Sequence, residues 1–100
     1  MVIEFLTFDI ATADQRAWSK VDRETWTAYL EGMPGFIRKE LWVDRDAQHR
    51  VHAVIWWQDD ASWAACDHDV MRSIDAAMGA LHRVGTLSTF DVVADDPGIS

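Results

Sequence analysis

Cysteine occurs once in the 100 residues, at Cys66, and asparagine does not occur at all. A lone cysteine excludes an intrachain disulfide and any cysteine-based zinc cluster built within one chain. Cys66 is therefore read as a small apolar side chain rather than a nucleophile. Cations are also scarce, since nine Lys and Arg stand against 17 Asp and Glu, a formal net charge of -8. That balance disfavours partners held by neutralising phosphates or anionic headgroups, so neither nucleic acid nor a membrane surface is expected. No apolar run approaches the roughly 20 residues that span a bilayer. The apolar opening, Val2 to Phe8, is interrupted by Glu4 and has no basic segment before it, unlike a secretory signal. A cytoplasmic location is the expectation. There is no P-loop, no GxGxxG, no HExxH and no Gly-x-Ser-x-Gly elbow. His49 and His52 give only one pair across a polar connection, too few ligands for a metal site. Neither metal nor nucleotide cofactor is expected.

Apolar bulk is what the sequence has in excess. Hydrophobic residues make up 49% of the chain and six are tryptophan, more than a small domain readily hides. Part of this bulk must line a pocket or a subunit interface. One domain is expected over residues 1–94, with an acidic tail at 95–100.

The periodicity changes along the chain. Val2 to Phe8 reads as a strand, and Trp18, Val21, Thr25, Ala28 and Tyr29 then recur at helical spacing within a helix from Thr12 to Met33 that Thr12 or Asp14 can cap. Gly32-Met33-Pro34-Gly35 ends that helix. Phe36 to Val43 alternates as a strand, with Phe36, Arg38, Glu40 and Trp42 on one face, and Val51 to Trp57 returns from a polar connection. A second helical region starts near Asp59, Asp60 and Ser62, breaks around Cys66 to Asp69, and carries the stripe Met71, Ile74, Met78 and Leu81. After Gly85, Thr86 to Val93 is a last strand. The order β-α-β-β-α-β predicts an α+β, ferredoxin-like fold with both helical regions on one face of a four-stranded antiparallel sheet. Since the strands are apolar on both faces, a second copy of the chain is expected to cover the bare face as a homodimer.

Pro34-Gly35-Phe36, Glu40-Leu41-Trp42 and Val54-Ile55-Trp56-Trp57, followed after an acidic turn by Trp63, resemble in order and spacing the dimeric α/β barrels related to antibiotic-biosynthesis monooxygenases. The resemblance covers nearly the whole chain. It implies a homodimer and a site between the helices and the sheet of each protomer. Activities in that superfamily include cofactor-independent oxidation of polycyclic aromatics, polyketide cyclisation, haem-ring opening and lactone isomerisation. Several of the oxygenases and the haem-opening enzymes depend on an asparagine beside a tryptophan. This chain has none, and Leu6 and Thr7 stand where the haem-opening members place an amide, so that mechanism does not carry over unchanged.

The candidate catalytic residue is His68, in Asp67-His68-Asp69, where one flanking carboxylate can orient the ring; a solvated histidine at a helix start is the competing reading. His82 suits a helix C-terminus. Trp26 and Trp63 are expected to wall a pocket, with Trp42 and Trp57 as further candidates, because indoles offer flat apolar surface and one donor. Core or dimer packing would use them equally well. Arg38 is a candidate for orienting a polar ligand or for a rim position. The expected function is that of an enzyme acting on a hydrophobic, aromatic or polyketide-like small molecule, as a cofactor-independent monooxygenase or a cyclase. The alternative is a non-catalytic module that binds a small hydrophobic ligand or haem.

Overall fold

The computed structural model describes residues 1–93, so the expected boundary at residue 94 and the tail 95–100 lie outside the described residues. Strand β1 (Val2–Asp9) leads through a short 3₁₀ turn into α1 (Gln15–Asp22), a π-helical turn (Arg23–Thr27) and α2 (Ala28–Glu31). Strands β2 (Phe36–Val43) and β3 (Arg50–Trp57) follow, then α3 (Asp60–Ala64), α4 (His68–Ala77), a 3₁₀ turn and β4 (Thr86–Asp91). All neighbouring strands pair antiparallel in the order β2-β3-β1-β4. This is the expected ferredoxin-like α+β sheet. Among the described residues, no helix is long and apolar enough to cross a membrane.

Local chemistry explains the boundaries. Neither Thr12 nor Asp14 caps the first helix with its side chain. By contrast, Asp59 caps α3 by accepting from the Ser62 amide, and Asp67 caps α4 by accepting from the Asp69 and Val70 amides. Two N-caps eight residues apart are why the second helical region breaks at Cys66.

The strand pattern departs from simple alternation at one place. Phe36 pairs with Trp57, yet Arg38 pairs with Trp56, so Ile37 is an extra residue in a β-bulge. The bulge turns Phe36 to the helix side, where its ring meets Trp57 edge-on at 6.0 Å. Phe36 therefore does not share a face with Arg38, Glu40 and Trp42.

Two core clusters hold the helices to the sheet. One gathers Val2, Leu30, Ile55, Trp57 and Cys66, the other Ile10, Trp18, Val51 and Met78. Behind the sheet, Phe5 contacts His52, Trp42 and Phe90 at centroid distances of 4.9, 6.1 and 6.0 Å, and Arg38 stacks on Trp56 at 4.0 Å. Trp42 is 44% exposed and Phe90 55%. Among the described residues, no helix covers this aromatic face.

The turn before β2 admits only glycine at one position. Gly35 has φ +83°, and a Cβ there would lie 2.1 Å from Ser62 Oγ at the start of α3. Gly79 has φ +60° with open space around it. Gly79→Ala should cost about 1–2 kcal/mol from backbone conformation alone, and Gly35→Ala clearly more, because α3 must also move. Urea unfolding of the two variants checks this; equal losses would contradict the contact.

Candidate functional site

Between the two core clusters the helices stand off the sheet and enclose a cavity of about 660 Å³, within the range of small-molecule sites. Its floor is the inward face of β1 and β3, namely Glu4, Leu6, Ala53 and Ile55, and the small Ala53 side chain leaves room above it. Trp26 and Trp63 stand in its walls, from the π-helical turn and α3 respectively. A π-helical turn adds a residue to the helical repeat and often marks a functional position. Here it directs Trp26 to donate from Nε1 to Asp75 Oδ1 at 2.9 Å. His82 Nε2 lies 3.5 Å from the same oxygen.

His68 also lines the cavity, as an exposed residue at the start of α4. Neither neighbouring carboxylate orients its ring, because Asp67 caps the helix and Asp69 pairs with Arg72. Trp57, Trp42 and Arg38 do not line the cavity. Trp57 is fully buried beside it, whereas Trp42 and Arg38 stand on the opposite face of the sheet. Trp18 belongs to the core and the cavity wall at once. Its indole nitrogen is buried without a partner among the described residues.

The sequence reading missed two cavity groups. Glu4 interrupts an apolar run in the sequence, yet its parity with Val2, Leu6 and Phe8 places it on the inward face. Trp57 Nε1 donates to Glu4 Oε1 at 3.1 Å, and the Trp63 indole supports the same carboxyl. Burial raises the Glu4 pKa above its ordinary 4.5, while the two indoles and the charge of Lys39 only partly offset it. A carboxyl so placed can accept a proton from a ligand. The second group is a buried ion pair. Lys39 Nζ lies 2.6 Å from Asp22 Oδ2 and donates to Thr27 Oγ1 at 3.0 Å, with both charged side chains almost fully buried. Removing one partner alone would strand a buried charge at a cost of about 3–5 kcal/mol.

Cys66 also reaches the cavity, but burial and the nearby Glu4 push its thiol upward, and a hydrogen bond with Tyr29 only partly counters this. The protonated thiol is the favoured form and a poor nucleophile. Among the described residues no cluster of three His, Cys, Asp or Glu could hold a metal ion.

No family profile matches the sequence, and no curated protein does. Solved structures do match. A variant of SnoaB, a cofactor-independent oxygenase from Streptomyces nogalater, is 21% identical with a TM-score of 0.74 over 96% of both chains. A monooxygenase from the ActVA-Orf6 gene of Streptomyces coelicolor, solved with nanaomycin D, is 11% identical with a TM-score of 0.77 over 94% of this chain and 88% of its own. The Mycobacterium tuberculosis haem degrader MhuD, solved with two haems in its active site, is 20% identical with a TM-score of 0.71 over 95% and 98% of the two chains. The fold is thus that of the antibiotic-biosynthesis-monooxygenase-like proteins, as the sequence resemblance implied.

Glu4 makes stability depend on pH in an unusual direction. With its folded pKa above the unfolded value, the native state holds more protons between the two, so stability is greatest below about pH 4.5 for this group and falls as pH rises through the raised value. Glu4→Gln should remove that loss. Urea midpoints of both proteins from pH 4.5 upward should converge at the acid end and separate toward neutrality, with the variant more stable; a constant difference would contradict the burial of an ionising Glu4.

Proposed function

We propose that the protein is a cytoplasmic homodimer whose protomers each act on a hydrophobic, planar aromatic or polyketide-like molecule, in the manner of a cofactor-independent monooxygenase. The observation that carries this reading is the cavity of about 660 Å³ walled by Trp26 and Trp63. Flat indole walls suit a flat ring system, and the unpartnered Trp18 N–H suits an acceptor on its edge. The cofactor-independent oxygenases among the structural neighbours support the same reading. In such a reaction the electron-rich substrate itself reduces oxygen, and the protein supplies deprotonation and a site shielded from water. His68, where the cavity meets solvent, is the group that exchanges the proton with water.

Haem, the ligand of one structural neighbour, is the second reading. His68 and Arg83 are the lining groups that would hold its iron and a propionate, but Glu4, Asp60 and Asp75 line the cavity as well, beside the Asp22–Lys39 ion pair. Three carboxyl groups besides that ion pair oppose a dianionic ligand, and the residues fit haem poorly.

2-Hydroxyanthraquinone, followed by calorimetry, serves as a probe. The protein should bind it saturably, Trp63→Ala should weaken binding by ~10-fold or more, about 1.4 kcal/mol, and Trp42→Ala should leave it unchanged. Equal loss in both variants, or tighter binding of haem than of the probe, would overturn the aromatic reading. His68→Gln should keep probe affinity while lowering oxygen uptake with an oxidisable hydroxyaromatic ~10²-fold; unchanged uptake would leave His68 as wall only.

The dimer rests on the aromatic face behind the sheet, where Phe5, Trp42, Trp56 and Phe90 lack a cover among the described residues. At micromolar concentration the protein should sediment as a dimer and Phe90→Glu as a folded monomer. A monomeric parent protein would refute this assembly.

A further inference from the structure

The sheet register places the two missed cavity groups in one row. Glu4 on β1 and Lys39 on β2 both pair with Ile55 of β3, so Glu4, Ile55 and Lys39 stand side by side across three strands on the inward face. With about 4.8 Å between strands, the Glu4 and Lys39 backbones lie about 9.6 Å apart. The apolar Ile55 side chain lies between them, and all three residues line the cavity. Their remaining hydrogen-bonding capacity is complementary. Two Lys39 ammonium protons go to Asp22 and Thr27, and the third has no partner among the described residues. The Glu4 carboxylate accepts from Trp57 through Oε1 and has lone pairs to spare.

An acceptor at one end, a cationic donor at the other and an apolar spacer between them describe the edge of a ligand. We propose that Glu4 and Lys39 together select and deprotonate a neutral planar phenol or enol whose hydroxyl is conjugated to a carbonyl on the far side of the ring. The selectivity rests on the aromatic-substrate reading above. The hydroxyl proton passes to a Glu4 carboxylate oxygen. The O–H electron pair stays with the ligand and delocalises onto the carbonyl oxygen, which the third Lys39 proton meets. Nothing is oxidised or reduced in this step. Because Lys39 is already neutralised by Asp22, the site favours ligands that arrive uncharged and become anionic only once bound. Glu4 is a catalytic residue in this scheme, and Asp22 and Thr27 are positioning residues that aim the ammonium.

The test compares 2-hydroxyanthraquinone, which has the required hydroxyl para to a carbonyl-bearing carbon, with its methyl ether, which has no proton to give. Calorimetry measures both against the parent protein, Glu4→Gln, and the double variant Asp22→Leu/Lys39→Met, which removes the ion pair as a unit and leaves no stranded charge. The parent should prefer the hydroxyl compound by ~10-fold or more, and its bound spectrum should shift toward the phenolate. In Glu4→Gln the spectral shift should vanish and the preference fall below about threefold. The double variant should lose the shift while still binding the methyl ether normally, which shows that its cavity is intact. An unchanged preference and shift in both variants would overturn the Glu4–Lys39 assignment and leave the aromatic pocket standing. Failure of the parent to bind either compound would overturn the pocket itself and the assignment with it.

Discussion

Lys39 points inward from the sheet, and its charge can be buried only if an anion comes to meet it. Asp22 is that anion, at 2.6 Å, and it sits at the last position of α1. The ion pair therefore ties the first helical segment to the β2 side of the sheet, and the π-helical turn that follows brings Thr27 to the same ammonium. Glu4 is held on the other side within the sheet itself. Its carboxyl accepts from the Trp57 indole on β3, and Trp63 of α3 lines the same cavity. Helices fastened at the ion pair and at the two core clusters leave a gap over Ala53 between them. The cavity is the space that remains.

Aromatic residues divide between the two faces of the sheet, Trp18, Trp26 and Trp63 by their place on the helical side and the strand residues by parity. On the inward side Trp18, Trp26 and Trp63 shape the cavity, and Trp57 anchors Glu4. On the outward side Trp42 and Trp56 join Phe5 and Phe90 in a layer with Arg38 stacked on it, while Glu40 accepts from the Trp42 indole. The inner set is rich in polar handles, and the outer one is mostly apolar with charge at its edge. The first set suits the proposed proton-exchanging ligand, and the second the proposed packing against another apolar sheet.

Element order was legible in the sequence because the period changes cleanly from two to helical spacing and back, and because paired acidic caps break the second helical region. The bulge at Ile37 was not, since nothing in Phe36-Ile37-Arg38 distinguishes a bulged strand from an alternating one. Which strand face the helices take was also hidden, as both faces are apolar. Trp42 and Arg38 therefore looked as much like pocket residues as Trp63 did. Glu4 was in plain view. Counting by twos through Val2, Glu4, Leu6 and Phe8 sets an acid among inward apolar residues, and that is the signal of a functional carboxyl. Asp67 and Asp69 misled for the opposite reason: adjacency in sequence to His68 says little when helix capping and a helical ion pair already occupy them.

The central claim is a ligand lying over Ile55, between an acid and an ammonium. A crystal structure of the protein with 2-hydroxyanthraquinone tests it most directly. The ring system should stack between Trp26 and Trp63 with its hydroxyl on Glu4 and its far carbonyl on Lys39. A ligand on the outer aromatic face, or within the cavity but touching neither charged group, would contradict the account.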